Sequence, residues 1–217
     1  MLPLSLPQNS TRPLKILCLG SHSDDIEIGC GGTILHLIAE RQSVDVTWVV
    51  FASNADRERE ARHSAEQFLA RAHRKNIIVK SFRDGFFPFE GAQVKDCFEQ
   101  QIKPASPDLV FTHNRKDAHQ DHRLVAELTW NTFRNHLILE YEIPKYDGDM
   151  GQPNFFVPLD AEICDKKIRC LMEAFETQRS KAWFSKETFL GLMRLRGMEC
   201  VAPSGYAEAF YCRKVVI

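Results

Sequence analysis

PLKILCLGSHSDDIEIGCGGT, residues 13–33, decides how the rest of the chain is read. Its apolar run at 16–19 has the character of a fully buried strand, and a helix-like apolar pattern follows at 26–41. Between the two, His22, Asp24 and Asp25 stand where the strand would end. In open α/β sheets, ligands bind at that edge. One histidine and two aspartates make half of a metal site, so the reading needs a second half downstream.

Outward from this stretch, short apolar runs at 46–52, 77–82, 109–112 and 137–141 alternate with helix-like patterns at 57–74, 92–102 and 121–134. Such alternation predicts βαβ units, a mainly parallel sheet and right-handed crossovers. The expected class is therefore α/β, a Rossmann-like three-layer fold in a single domain. The rhythm changes after Tyr141. Residues 143–158 hold three prolines and two glycines and read as a long loop bordering the substrate. Helical patterns are expected at 160–183 and 186–196, and a last strand at 207–216 closing one sheet edge. Residues 1–14 read as a loose leader and 15–217 as the domain.

The bulk numbers narrow the function. The 217 residues are 44% hydrophobic and 26% charged, with a formal net charge of −1. There is no basic stripe of the kind nucleic acid requires, because Glu58, Glu60 and Glu66 interrupt the densest basic segment, 57–75. No apolar run approaches the ~20 residues of a membrane span, and the start lacks the ~7–15-residue apolar core of a signal peptide. A cytoplasmic protein without nucleic-acid or membrane partners is expected. Seven cysteines without a CxxC pair read as reduced, mostly buried thiols.

The second half of the site lies in Thr112-His113-Asn114-Arg115-Lys116-Asp117-Ala118-His119-Gln120-Asp121-His122-Arg123, again just after a predicted strand. His119 and His122 are three apart, so at a helix start they share a face. If the first and fourth strands are neighbours, the two loops face each other. A catalytic zinc takes three protein ligands and keeps a place for water, and a hydrolase needs in addition a base and an electrostatic group. His22, Asp24, Asp25, His119 and His122 supply that inventory for amide or ester hydrolysis. Asp117 or Asp121 is a candidate to orient a ligating histidine, and His113 reads as structural or orienting. Gly29, Gly31 and Gly32 satisfy neither the dinucleotide nor the Walker pattern, so close packing is the better account of them. Phe86, Phe87, Phe89, Phe155 and Phe156 are candidates for a lid, a subunit contact in a homo-oligomer, or core.

These residues resemble a known family. Residues 21–33, Ser-His-Ser-Asp-Asp-Ile-Glu-Ile-Gly-Cys-Gly-Gly-Thr, are similar to the AHPDD(I/V)E-x-G-x-GGT signature of the PIG-L/LmbE-type zinc-dependent N-deacetylases. His119-Gln120-Asp121-His122-Arg123 resembles their HPDHR motif. Residues 57–61 and 206–210 resemble weaker features, an Arg-x-x-Glu-Ala helix start and an AE-x-F ending. The resemblance implies zinc ligands at His22, Asp25 and His122, with iron or another divalent metal as a replacement. It implies Asp24 as general base, His119 as the group that stabilises or protonates the transition state, and Arg57 as a substrate contact. The implied substrate is a small N-acetylated sugar, an N-acetylglucosamine derivative or conjugate. Ser21, Ser23 and Gln120 depart from the motifs without removing a ligand. Two other functions are weighed: an amidase acting on a thiol-conjugate or antibiotic intermediate, and a non-catalytic sugar- or nucleotide-binding module.

Overall fold

The computed structural model describes residues 12–216; most of the expected leader lies outside them. Seven strands form one sheet: β1 (Leu14–Gly20), β2 (Val44–Val50), β3 (Arg74–Val79), β4 (Leu109–His113), β5 (Leu137–Tyr141), β6 (Phe155–Pro158) and β7 (Ala207–Cys212). Their order is β3-β2-β1-β4-β5-β7-β6. The first five are parallel, while β7 runs antiparallel to β5 and to β6. The helices are α1 (Asp25–Glu40), α2 (Ala55–Phe68), α3 (Gly91–Cys97), α4 (Gln120–Thr132), α5 (Ala161–Ala174) and α6 (Lys186–Glu199).

Successive strand residues point to opposite faces, and β1 divides its side chains accordingly. Ile16 and Cys18 join α1, α2 and α5 residues such as Ile34, Phe68 and Leu171 in one core. Leu17 and Leu19 join Val94, Phe98 and Val125 in the other. These are the three layers expected. The chain leaves β1 toward β2 and later returns on its other side through β4, so the switch point falls between β1 and β4. The loops that follow β1 and β4 both open there.

Four expectations need correction. The 143–158 segment is not all loop, because Phe155–Pro158 pairs with β7. The last strand is not an edge: β7 is interior and β6 takes the rim. A four-residue strand ending in proline suits an edge, where no ladder donor is needed beyond it. The helix expected at 160–183 ends at Ala174; Phe175 turns into the core, and a single 3₁₀ turn (Glu176–Gln178) leads into non-helical chain up to 184. Similarly, α2 stops at Phe68, and the polar 74–76 segment forms the other edge strand. Of the five phenylalanines, Phe87 is core and Phe155 and Phe156 lie in β6. Only Phe86 and Phe89 stand exposed. All seven cysteines are unpaired, five of them buried.

Gly29 and Gly32 serve close approach. A Cβ at Gly29 would lie 2.2 Å from the Tyr141 ring, and one at Gly32 only 2.8 Å from Glu208 Oε1. Packing, not phosphate cradling, accounts for this motif.

Candidate active site

β1 ends at Gly20 and α1 begins at Asp25, with Asp24 as its N-cap. The two aspartates therefore sit at a helix start. A helix turns through 3.6 residues, which sends the neighbouring carboxylates in different directions. β4 ends at His113, and α4 begins after His119, its N-cap. His122 is then in the first turn of α4, and its ring centroid lies 4.6 Å from that of His119.

The two loops meet closely. His22 Nδ1 lies 3.1 Å from His122 Nε2 and 3.4 Å from Asp25 Oδ2. His122 Nε2 lies 3.6 Å from Asp25 Oδ1. A tetrahedral ion with ligands at about 2.0–2.2 Å has edges of roughly 3.4 Å, so the three side chains fit a divalent cation. The carboxylate of Asp117 accepts the Nδ1–H of His122 at 2.9 Å. That contact leaves the Nε2 lone pair facing the cluster, the usual arrangement behind a metal-binding histidine. Asp117 is held in turn by the His119 N–H at 2.8 Å and by Lys145 at 3.1 Å. His113 is buried beside Asp25: its Nε2 accepts the Ser21 N–H at 2.9 Å and lies 3.2 Å from Asp25 Oδ2.

The electrostatics separate the two aspartates. Burial alone would raise the Asp25 carboxyl, but His122, His113 and His22 overcome it and hold Asp25 well below the usual range. Burial raises Asp24, with Arg57 opposing and Asp25 reinforcing the rise. His122 is pushed down to about 4, first by burial and then by His113. Burial also lowers His119, with His22 adding to the effect. For His22, burial is outweighed by Asp25 and Asp121, which raise its pKa well above normal. A pocket that stabilises a proton on His22 through these carboxylates stabilises a divalent cation for the same reason.

Asp24 Oδ1 accepts from Arg57 at 2.7 Å, while Asp24 Oδ2 is buried with no partner. Arg57 is not a free cation. It also reaches Glu60 at 3.3 Å and the Thr177 hydroxyl at 3.2 Å, and lies over the Phe175 ring. Around this centre opens a cleft of about 790 Å³, within the ~300–1,000 Å³ of small-molecule sites. Its far walls carry Lys145 and Tyr146 from the 143–158 segment and Gln178, Lys181 and Trp183 from 176–184. The first wall was anticipated as a border. The second was hidden inside a helical pattern, and only the inward turn of Phe175 reveals it. Asp84 belongs to no motif in the sequence, and its Asp-Gly turn after β3 places it on the same sheet edge.

The PIG-L family, described as GlcNAc-PI de-N-acetylase, matches residues 17–133. The uncharacterized deacetylase YaiS of Escherichia coli (strain K12) is 28% identical over 156 residues, covering 66% of this chain and 82% of YaiS. N,N'-diacetylchitobiose deacetylase from Pyrococcus horikoshii superposes with a TM-score of 0.72 at 21% identity, over 92% of this chain and 83% of its own. The 4-carboxy-2-hydroxymuconate hydratase GalB from Pseudomonas putida KT2440 superposes at 0.68 with 16% identity, over 94% and 98%. At these identities the superpositions speak for the fold, which carries both a deacetylase and a hydratase. The family match spans more than half of the chain and includes both histidine-aspartate motifs: this chain belongs to the PIG-L family of de-N-acetylases.

Proposed function

We propose that this chain removes the acetyl group from an N-acetylated sugar, an N-acetylglucosamine derivative or conjugate, by attack of water on the amide carbonyl. The observation that carries the reading is Asp24 Oδ2, buried and unpartnered beside the His22–Asp25–His122 triangle. A buried carboxylate oxygen without a donor is costly unless something else supplies one. An attacking water would.

His22, Asp25 and His122 would hold a divalent ion; zinc suits two imidazoles and a carboxylate, and ferrous iron could replace it. When bound, the ion supplies Lewis-acid activation of water and carbonyl. Asp24 takes the proton of the attacking water at Oδ2, while Arg57 fixes Oδ1. Its raised pKa brings it toward the range of an efficient base. His119 Nδ1 accepts the Asp121 N–H at 3.2 Å. The proton of neutral His119 then sits on Nε2, from which it hydrogen-bonds the developing oxyanion without leaving the ring. Collapse of the tetrahedral species breaks the C–N bond; Asp24 returns its proton to the leaving amine, and acetate departs. The cleft is wide enough for more than one ring, and Trp183 and Tyr146 offer flat faces for a sugar or its aglycone.

A fold shared with a hydratase does not select the reaction, but the family match favours amide cleavage over addition to a double bond. Among the described residues no helix is long and apolar enough to cross a membrane. The test is acetate release from N-acetylhexosamines presented free, nucleotide-linked and glycosidically linked, before and after chelation. Release that stops on chelation and returns with zinc is expected. Release unaffected by metal removal, or absent from every N-acetyl sugar, would overturn the proposal.

A further inference from the structure

His22 presents its two ring nitrogens to two different donor sets. Nδ1 faces His122 and Asp25. Nε2 faces Asp84 Oδ1 at 3.1 Å and Asp121 Oδ2 at 3.4 Å. His22, Asp84, His119 and Asp121 each offer a ligand atom, all within 4.8 Å of one another. By the same measure Asp25, His113 and His122 form a group on the inner side. These two groups share no residue, and a third, His22, His119 and His122, bridges them.

We propose that His22, Asp84, His119 and Asp121 form a second, outer site for a divalent cation such as zinc, whose filling withdraws His22 and His119 from the inner arrangement and inhibits the enzyme. The proposal rests on the inner metal reading given above. A neutral imidazole has one ring lone pair. If that pair lies on Nδ1, His22 serves the inner ion, and Nε2–H donates to Asp84 and Asp121. If it lies on Nε2, His22 serves the outer ion, and the inner one keeps Asp25 and His122, with His113 beside them. The outer set brings two carboxylates to a dication, and two imidazoles with two carboxylates suit zinc well. Asp84, at 77% side-chain exposure, leaves one side of this set open to the cleft. Joining the set costs His119 its cap on the Asp121 N–H, so the outer site is the weaker of the two.

Metal-stripped protein is titrated with zinc, with bound metal measured by equilibrium dialysis and acetate release measured at each concentration. Two equivalents are expected: the first accompanies the rise in activity, and the second, weaker one its fall. Asp84→Ala is expected to weaken the second equivalent at least about tenfold, a lower bound taken from the loss of one metal-orienting partner. The inhibitory concentration should move with it, while binding of the first equivalent stays put. A single equivalent with no inhibition, or a second equivalent unmoved by Asp84→Ala, would overturn the outer site. Asp25→Asn keeps the two readings apart. One equivalent lost in Asp25→Asn but kept in Asp84→Ala leaves the inner reading standing and the outer one fallen; the reverse pattern overturns the inner ligand assignment and supports the outer site.

Discussion

Two clusters of buried charge flank α1, and they are finished differently. Beneath the helix, Lys167 Nζ donates to Glu208 Oε1 at 2.6 Å and to the Ile28 carbonyl at 2.7 Å. Glu208 Oε1 also accepts the Gly32 N–H at 2.8 Å, and Oε2 accepts the Thr33 N–H at 2.7 Å. Both carboxylate oxygens are engaged. At the helix start, by contrast, Asp24 Oδ2 has no partner and three histidines crowd one carboxylate. A completed network holds elements together. An incomplete one, in a cleft, has donors and acceptors left for a ligand.

The comparison can be broken most sharply at Asp24. Asp24→Asn is expected to lower kcat by about 10²–10⁴, the usual worth of a general base, with metal content unchanged by elemental analysis. A loss below tenfold would make its unpartnered oxygen irrelevant to the chemistry. The completed cluster should respond in stability instead. Lys167→Met leaves Glu208 buried without its counter-charge and should cost about 3–5 kcal/mol in urea unfolding. The double variant Lys167→Met/Glu208→Gln should recover part of that loss. If the single variant costs nothing measurable, the pair is not what secures α5 and β7 to α1.

Arg57 tests where one cluster ends and the substrate begins. Because its guanidinium is held by Asp24, Glu60 and Thr177, Arg57→Ala should lower kcat on the order of 10², the cost of a misplaced catalytic group. KM should change less. A rise in KM at constant kcat would return Arg57 to the substrate-holding role that the resemblance implies.

The smallest effect concerns Glu27, whose carboxyl is pushed up to about 8 by burial, with Ser64 opposing. It stays protonated in the fold over a pH range where the unfolded chain ionises it. Stability is therefore greatest below the unfolded value, near 4.5, and falls as pH rises toward 8. The slope reaches at most about 1.4 kcal/mol per pH unit. Glu27→Gln, measured on metal-stripped protein, should flatten that window. An unchanged slope would mean that Glu27 is ionised and partnered.

Much of this was legible along the chain. The β1 and β4 runs are continuously apolar because both faces are covered, and each passes into its ligand-bearing loop within a few residues. Period and proximity are local properties, so His22, Asp24, Asp25, His119 and His122 could be paired from spacing and the expected sheet order. The family resemblance reinforced the same positions. Other features rest on pairings between distant residues. Lys167 and Glu208 are 41 positions apart, and nothing in a helical pattern marks one lysine as buried. The exchange of β7 into the sheet interior and β6 to its rim is a choice of hydrogen-bond partner, to which apolar periodicity is blind.

Local residue chemistry thus carried the α/β class, the strand-end loops and the histidines and aspartates that the fold brings together there, because apolar period and the placing of ionisable groups are written residue by residue. The tertiary structure decided the rest: the tie of Arg57 to Asp24, the two-sided setting of His22 between Asp25 and Asp84, and the 176–184 wall of the cleft. Each depends on where a distant segment comes to lie. That is governed by the packing of whole helices and strands rather than by any short run of sequence.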